Sequence, residues 1–277
     1  MDSIIPGRPE PSRPPAKLFL RTWQALSLPM LLFFAVPVVL LFTRTGPLEW
    51  LDGFRQPQVY QAIAVSLKTS LVSLLITILA GTPVAYLMGR QQFRFKKLVD
   101  TLIDLPIVLP PSVAGVALLL TLGRRGVIGE SLEALGIHIA FTSAAVVIAQ
   151  VFISAPFYVR SASLGFGSID SEIEQAAQLD GASHAQVFQY IMLPLARPAF
   201  LGGCMMSWAR ALGEFGATII FAGNFPGRTQ TMPIAIYLGF EVDLNIALTL
   251  SVILVAISFA AILLVKSIVP AEERYSS

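Results

Sequence analysis

Glu174-Gln175-Ala176-Ala177-Gln178-Leu179-Asp180-Gly181, followed ten residues after the glycine by Ile191-Met192-Leu193-Pro194, is a polar, helix-forming stretch set between two strongly apolar ones. Its neighbours avoid water and it cannot, so it must lie outside the apolar phase they occupy. A short element anchored at both ends to membrane helices is built to pass motion between a soluble body and a path through the bilayer.

The flanking sequence supports this. The chain has 277 residues, 55% of them hydrophobic and only 13% charged, about half the charged fraction of a soluble domain (~25%). No Asp, Glu, Lys or Arg occurs between positions 21 and 44, 68 and 90, 104 and 124, 133 and 160, or 243 and 266. Each gap holds a helix of about 20 residues, enough for a hydrocarbon core of roughly 30 Å. A further apolar run, 195–221, is interrupted by Arg210 and Glu214, with Arg197 at its edge. The expected fold is therefore an all-α integral membrane protein with six transmembrane helices. A closed barrel would alternate apolar and polar residues, and runs such as Leu71-Val72-Ser73-Leu74-Leu75-Ile76 do not.

Lys and Arg in short loops set orientation. Arg8, Arg13, Lys17 and Arg21 precede the first span, and Arg90, Arg94, Lys96 and Lys97 follow the second. The opposite loops carry Arg44 and Arg55, Arg124 and Arg125, and Arg228. Both termini are expected in the cytoplasm, with a proline-rich tail over 1–22, a membrane domain over 23–269 and a second tail over 270–277. The 160–197 loop contains Asp170, Glu172, Glu174 and Asp180, so its cytoplasmic place rests on parity. The first apolar segment follows basic residues as a signal peptide would, but lacks a small-residue cleavage pattern and reads as a retained span. The net charge of +2 is accounted for by topology and implies no nucleic-acid partner.

Several spans carry internal punctuation. Leu105-Pro106-Ile107-Val108-Leu109-Pro110-Pro111-Ser112 places three prolines in one span, which forces a kink or break. Broken helices survive in membranes where protein or a wet cavity satisfies the freed carbonyls. In the fifth span Ala199, Gly203, Ser207 and Ala211 recur every four residues, as do Ala209, Gly213 and Ala217. Small residues let backbones approach closely in lipid, so this helix is expected to pack on two sides. In the polar stretch, Ser171 with Glu174 and Ser183 with Gln186 fit capping boxes, and Asp180-Gly181 is a helix stop. Two short helices joined at a glycine elbow are expected over about 171–194.

Enzyme chemistry is missing from the sequence. There is no phosphate-binding Gly-x-x-x-x-Gly-Lys-Ser/Thr run, no His/Cys/carboxylate cluster with metal-ligand spacing and no nucleophile elbow. Arg210 and Glu214 stand four apart on one helix face. They are either a mutually neutralising pair or residues of a transport path in which Arg210 attracts an anion. Lys68, near the outer end of the second span, is expected to snorkel, and Cys204, the lone cysteine, to pack as a small residue.

The 175–194 stretch resembles the EAA motif of permease subunits of ATP-binding-cassette importers. The motif runs Glu-Ala-Ala, three residues, Gly, nine residues, Ile, one residue, Leu-Pro; here Ala176, Ala177, Gly181, Ile191, Leu193 and Pro194 match. Gln175 stands at the glutamate position, with Glu174 one residue earlier. The resemblance implies the type I ABC importer permease (MetI-like) fold, with Gln175, Ala176, Ala177, Asp180, Gly181, Ile191, Leu193 and Pro194 in coupling helices that sit in a groove of the ATPase subunit. Within the superfamily the chain is similar to molybdate permeases. That likeness is carried by Leu109-Pro110-Pro111-Ser112-Val113-Ala114-Gly115, Gly123-Arg124-Arg125-Gly126, Arg210-Ala211-Leu212-Gly213-Glu214-Phe215-Gly216-Ala217-Thr218 and Ala222-Gly223-Asn224-Phe225-Pro226-Gly227-Arg228-Thr229-Gln230-Thr231.

It further implies a second copy of the chain, ABC ATPase subunits that bind ATP and Mg in place of any cofactor on this chain, and a periplasmic or extracellular oxyanion-binding protein. All would work at a prokaryotic cytoplasmic membrane. A sulfate, thiosulfate or tungstate permease is the rival within the class. An ion-gradient-driven secondary transporter is the rival outside it, and it would bring internal repeats that are not evident here.

Overall fold

A computed structural model describes residues 16–44, 54 and 56–268. The expected proline-rich tail up to residue 15, the 270–277 tail and Arg55 lie outside the described residues. The chain divides into two units, residues 1–46 and 47–277. The first contains one helix, α1 (Ala16–Arg44), which begins inside the expected N-terminal tail. Its apolar part, Phe19–Thr43, is 25 residues long, about 37 Å at 1.5 Å per residue, which exceeds a bilayer core.

The second unit is built on three helices: α2 (Pro57–Arg90), α6 (Ser143–Gly167) and α9 (Arg197–Leu212). Their sequences explain why they pack together. Ser66, Ser70, Ser73, Thr77, Gly81 and Ala85 form a small-residue stripe that α2 buries. A β-carbon on Gly81 would stand 3.1 Å from the Tyr158 ring, and one on Gly89 2.5 Å from the Ser163 carbonyl. Both positions advance together along the two helices, so α2 and α6 run parallel. Across the other side of α6, a β-carbon on Gly165 would meet that of Ala199 at 2.4 Å. Close backbone approach replaces the hydrophobic drive that lipid removes. Polar bonds reinforce it: Ser161 Oγ donates to Ala199 O (2.7 Å), Trp208 Nε1 to Ser70 Oγ (3.0 Å), and the Met232 amide to Ser66 Oγ (2.7 Å). Thr82 donates to Ile78 O, leaving its oxygen to accept from the Tyr158 hydroxyl at 2.6 Å.

The three-proline segment breaks its span as expected. α3 (Lys96–Val108) and α4 (Pro111–Leu122) meet at 116°. A short helix, α5 (Gly129–Ala134), follows. Two short helices form the polar stretch after α6: α7 (Ser171–Leu179) and α8 (His184–Val187). After α9 come α10 (Gly216–Phe221), α11 (Met232–Val242) and α12 (Leu244–Ile268).

Among the described residues four helices are long and apolar enough to cross a membrane, and the bent pair makes a fifth. The expected span over 195–221 is not one helix. It stops at Gly213 and restarts at Gly216, because the Glu214 carboxylate turns inward and Oε1 accepts from the Ala217 amide at 2.8 Å, closing the start of α10. Six crossings remain compatible with this arrangement. The expectation that the fifth span packs on two sides is met fully on one: Gly203, Ser207 and Ala211 are buried against the chain's own helices, whereas in the other stripe Ala209 and Gly213 are exposed and only Ala217, on the helix that follows, is buried.

Candidate functional site

α6 runs directly into the polar stretch. Asp170, in an extended conformation, caps α7 by accepting from the Glu172 amide at 3.0 Å. This corrects the expected Ser171–Glu174 capping box. With the cap one residue earlier, Glu174 falls one position beyond reach of it. Its carboxylate instead pairs with Arg90 at the end of α2, and Arg90 Nη1 also donates to Ile169 O at 2.7 Å. One arginine thus ties the end of α2 to the connection between α6 and α7. It also places the 160–197 loop beside the basic end of the second span, where parity alone had put it.

α7 ends at Asp180, and Gly181 takes a left-handed φ of +92°. A β-carbon there would meet nothing within 4 Å, so the backbone conformation, not crowding, calls for glycine. α8 then starts in the expected capping box, with Ser183 Oγ accepting from the Gln186 amide and Gln186 Oε1 from the Ser183 amide. A π turn over Phe188–Met192 precedes Pro194. Widening the helix there accommodates a proline that lacks an N–H and crowds the carbonyl four residues before it.

The segment has two faces. Ala177, Ala182 and Phe188 pack inward on a cluster containing Ile169, Val187 and Met192, where Cys204 also packs. Ile191 is half-buried and Pro194 exposed. Gln175, Ala176, Asp180 and Gly181 face outward, with Leu179 88% exposed, Tyr190 70% and Leu193 40%. Ala176 and Ala177, adjacent in the motif, therefore do different things. Beside them Gln175 lines a polar hollow of about 260 Å³ together with Tyr86, Arg90, Glu174 and Gln178. Exposed Leu179 was missed in the sequence because an apolar residue at a helix end carries no periodic signal.

A second clamp was equally hidden. Arg160 on α6 donates through Nε to Asp104 at 2.7 Å, through Nη1 to Asp100 and through Nη2 to both residues. It fastens the inner half of the broken span to the helix that leads into α7. The expected Arg210–Glu214 pair forms, Nη1 to Oε2 at 2.7 Å, in ion-pair contact without hydrogen-bond alignment. Oε2 faces Arg210, Oε1 accepts from the Ala217 amide, and Glu214 is only 1% exposed.

The sequence runs that looked separate meet here. A β-carbon on Gly216 would press on Pro111 at 2.7 Å, and one on Gly115 on Ala217 O at 2.9 Å, so the proline break seats against α10. The next run, 222–231, folds back on the start of α6, where Ser143 Oγ donates to Arg228 O at 2.8 Å; the end of α10 is tied to the residues before α6 by the Phe141 amide, which donates to Phe221 O at 3.2 Å.

A multi-pass helical bundle carrying an exposed, glycine-elbowed polar segment is the architecture of a transporter's membrane subunit. Residues 81–273 match the family described as "Binding-protein-dependent transport system inner membrane component", and the chain belongs to that family. It is thus a multi-pass component of the inner membrane and not an enzyme in its own right. It is 36% identical to the probable transport system permease protein NifC of Clostridium pasteurianum over 252 residues, covering 91% of this chain and 87% of the relative. It is 39% identical to the molybdenum transport system permease protein ModB of Mycobacterium tuberculosis, covering 84% and 88%. In fold it is similar to a chain of a bacterial ABC transporter that imports alginate, with a TM-score of 0.72 over 94% of this chain and 99% of that one, at 18% identity.

Proposed function

We propose that the chain is the permease subunit of an ATP-driven importer of molybdate. The observation that carries this reading is its kinship with a molybdenum permease over most of both chains. The packing of the proline break against α10 supports it, because it brings together runs that the sequence shares with molybdate permeases. Two copies would enclose the path, two ATPase subunits would bind ATP and Mg beneath them, and an external oxyanion-binding protein would deliver cargo. Both termini and the α7–α8 segment would face the cytoplasm.

In this reading the exposed surface of Ala176, Leu179, Tyr190 and Leu193 docks on the ATPase. ATP binding closes the ATPase pair and draws the two docking segments together. Arg90–Glu174 and the continuity of α6 with α7 carry that displacement to α2 and α6, and Arg160 carries it to α3. ATP drives the change only so far as it favours one state of the bundle over the other.

The test is reconstitution in liposomes with the partner ATPase and binding protein. Expected is molybdate uptake that requires both ATP and the binding protein, and is favoured over sulfate. Preferred sulfate uptake would overturn the cargo assignment, and gradient-driven uptake without the ATPase would overturn the class.

A further inference from the structure

Between the first half of α2, the start of α6 and the 223–231 turn lies a groove of about 390 Å³, room for about a dozen waters at the ~30 Å³ each takes in the liquid. Its polar wall is Tyr60, Gln61, Lys68, Thr69, Ser143 and Arg228, with no Asp or Glu. Three arginines of this fold, Arg90, Arg160 and Arg210, are each matched by a carboxylate. Among the described residues Lys68 and Arg228 have no such partner.

Arg228 is held on a built mount. The amides of Arg228, Thr229 and Gln230 all donate to Phe225 O at 2.9–3.1 Å, and Thr229 Oγ1 accepts from the Phe225 amide at 3.0 Å. Gln230 Nε2 donates to Asn224 Oδ1 at 2.9 Å. Gly227, at φ +71°, lets the chain turn against Gln61. Ser143 then pins the Arg228 carbonyl to α6. Ser143 and Thr69 spend their hydroxyl protons on backbone carbonyls. The donors left to a guest are the Lys68 ammonium, the Arg228 guanidinium, the Gln61 amide and the Tyr60 hydroxyl.

Two cations and neutral donors, with no carboxylate, suit a doubly charged tetrahedral oxyanion. We infer that this groove binds the transported oxyanion between Lys68 and Arg228 before it enters the membrane path. This rests on the reading of the chain as an oxyanion permease. A lipid phosphate group shares the chemistry, so the test separates the two sources.

The complex with its ATPase, without binding protein, is placed in nanodiscs of phosphatidylcholine and titrated with radioactive molybdate. Expected is saturable binding, weakened roughly ten- to hundred-fold in Lys68→Gln and in Arg228→Gln, as loss of a charged hydrogen bond implies. Lys68→Arg is expected to recover most of it, which also excludes misfolding as the cause. Equal molybdate binding by wild type and both glutamine variants would overturn the site. So would variants that lose only co-purifying phosphatidylglycerol, since the occupant would then be lipid. Uptake with binding protein is measured in parallel. A wild type that binds molybdate here but imports none contradicts the functional reading and leaves the site standing, whereas unchanged import and binding in the variants contradicts the site alone.

Discussion

The Arg90 and Arg160 clamps and the groove that holds Lys68 and Arg228 handle charge in opposite ways. At one end of α2 Arg90 is closed by Glu174, and beside it Arg160 by Asp100 and Asp104. At the other end Lys68 and Arg228 share a groove without a carboxylate. Paired charges fix where helices sit and offer nothing to a ligand. Unpaired ones contribute little to folding and are available to an anion. The helices that lead into α7 are therefore clamped by charge at these two arginines, and the Lys68–Arg228 groove is left electrostatically open.

That contrast can be broken by mutation. The largest effect is expected at Arg160→Met, which strands two aspartates beside an apolar helix. Partial exposure of all three groups limits the loss to about 2 kcal/mol, read as a lower unfolding midpoint of the purified complex. Glu174→Gln is expected to cost about 1 kcal/mol and to raise protease cleavage in the 171–194 segment, because a neutral amide oxygen accepts from Arg90 less strongly than the carboxylate does. Asp170→Ala is expected to cost about 1 kcal/mol and Ser171→Ala a few tenths, as for a cap and a non-cap residue; equal costs would restore the capping box that the structure corrects. Lys68→Gln is expected to leave stability within about 0.5 kcal/mol. If it destabilises as much as Arg160→Met, the two ends do not differ.

What the sequence made legible follows from which signals are local. Long charge-free gaps marked the four long helices, and three prolines within six residues marked the break between α3 and α4. Gly181 and the Ser183–Gln186 box were readable because a turn and a cap are decided within a few residues. Adjacent cap formers at Asp170 and Ser171 shifted the expected α7 start by one position, and with it the role of Glu174. The interruption of the fifth span was harder. Arg210 and Glu214 read as a pair on a continuous helix, whereas Glu214 also turns inward to start α10. The Arg160 clamp and the Arg228 mount join residues 56 and 85 positions apart, and no periodicity announces contacts of that range.

The α7–α8 segment is proposed to pass work from ATPase to membrane path, and its elbow offers the most direct test. Gly181 needs a left-handed backbone and has free space around it, so Gly181→Asn is tolerable while β-branched Gly181→Val is not. Molybdate uptake and ATP hydrolysis would be measured together in proteoliposomes carrying the full transporter. The prediction is that Val lowers molybdate imported per ATP at least about ten-fold, a penalty of about 1.4 kcal/mol in coupling, with assembly intact and Asn close to wild type. Wild-type import per ATP in the Val variant would contradict it.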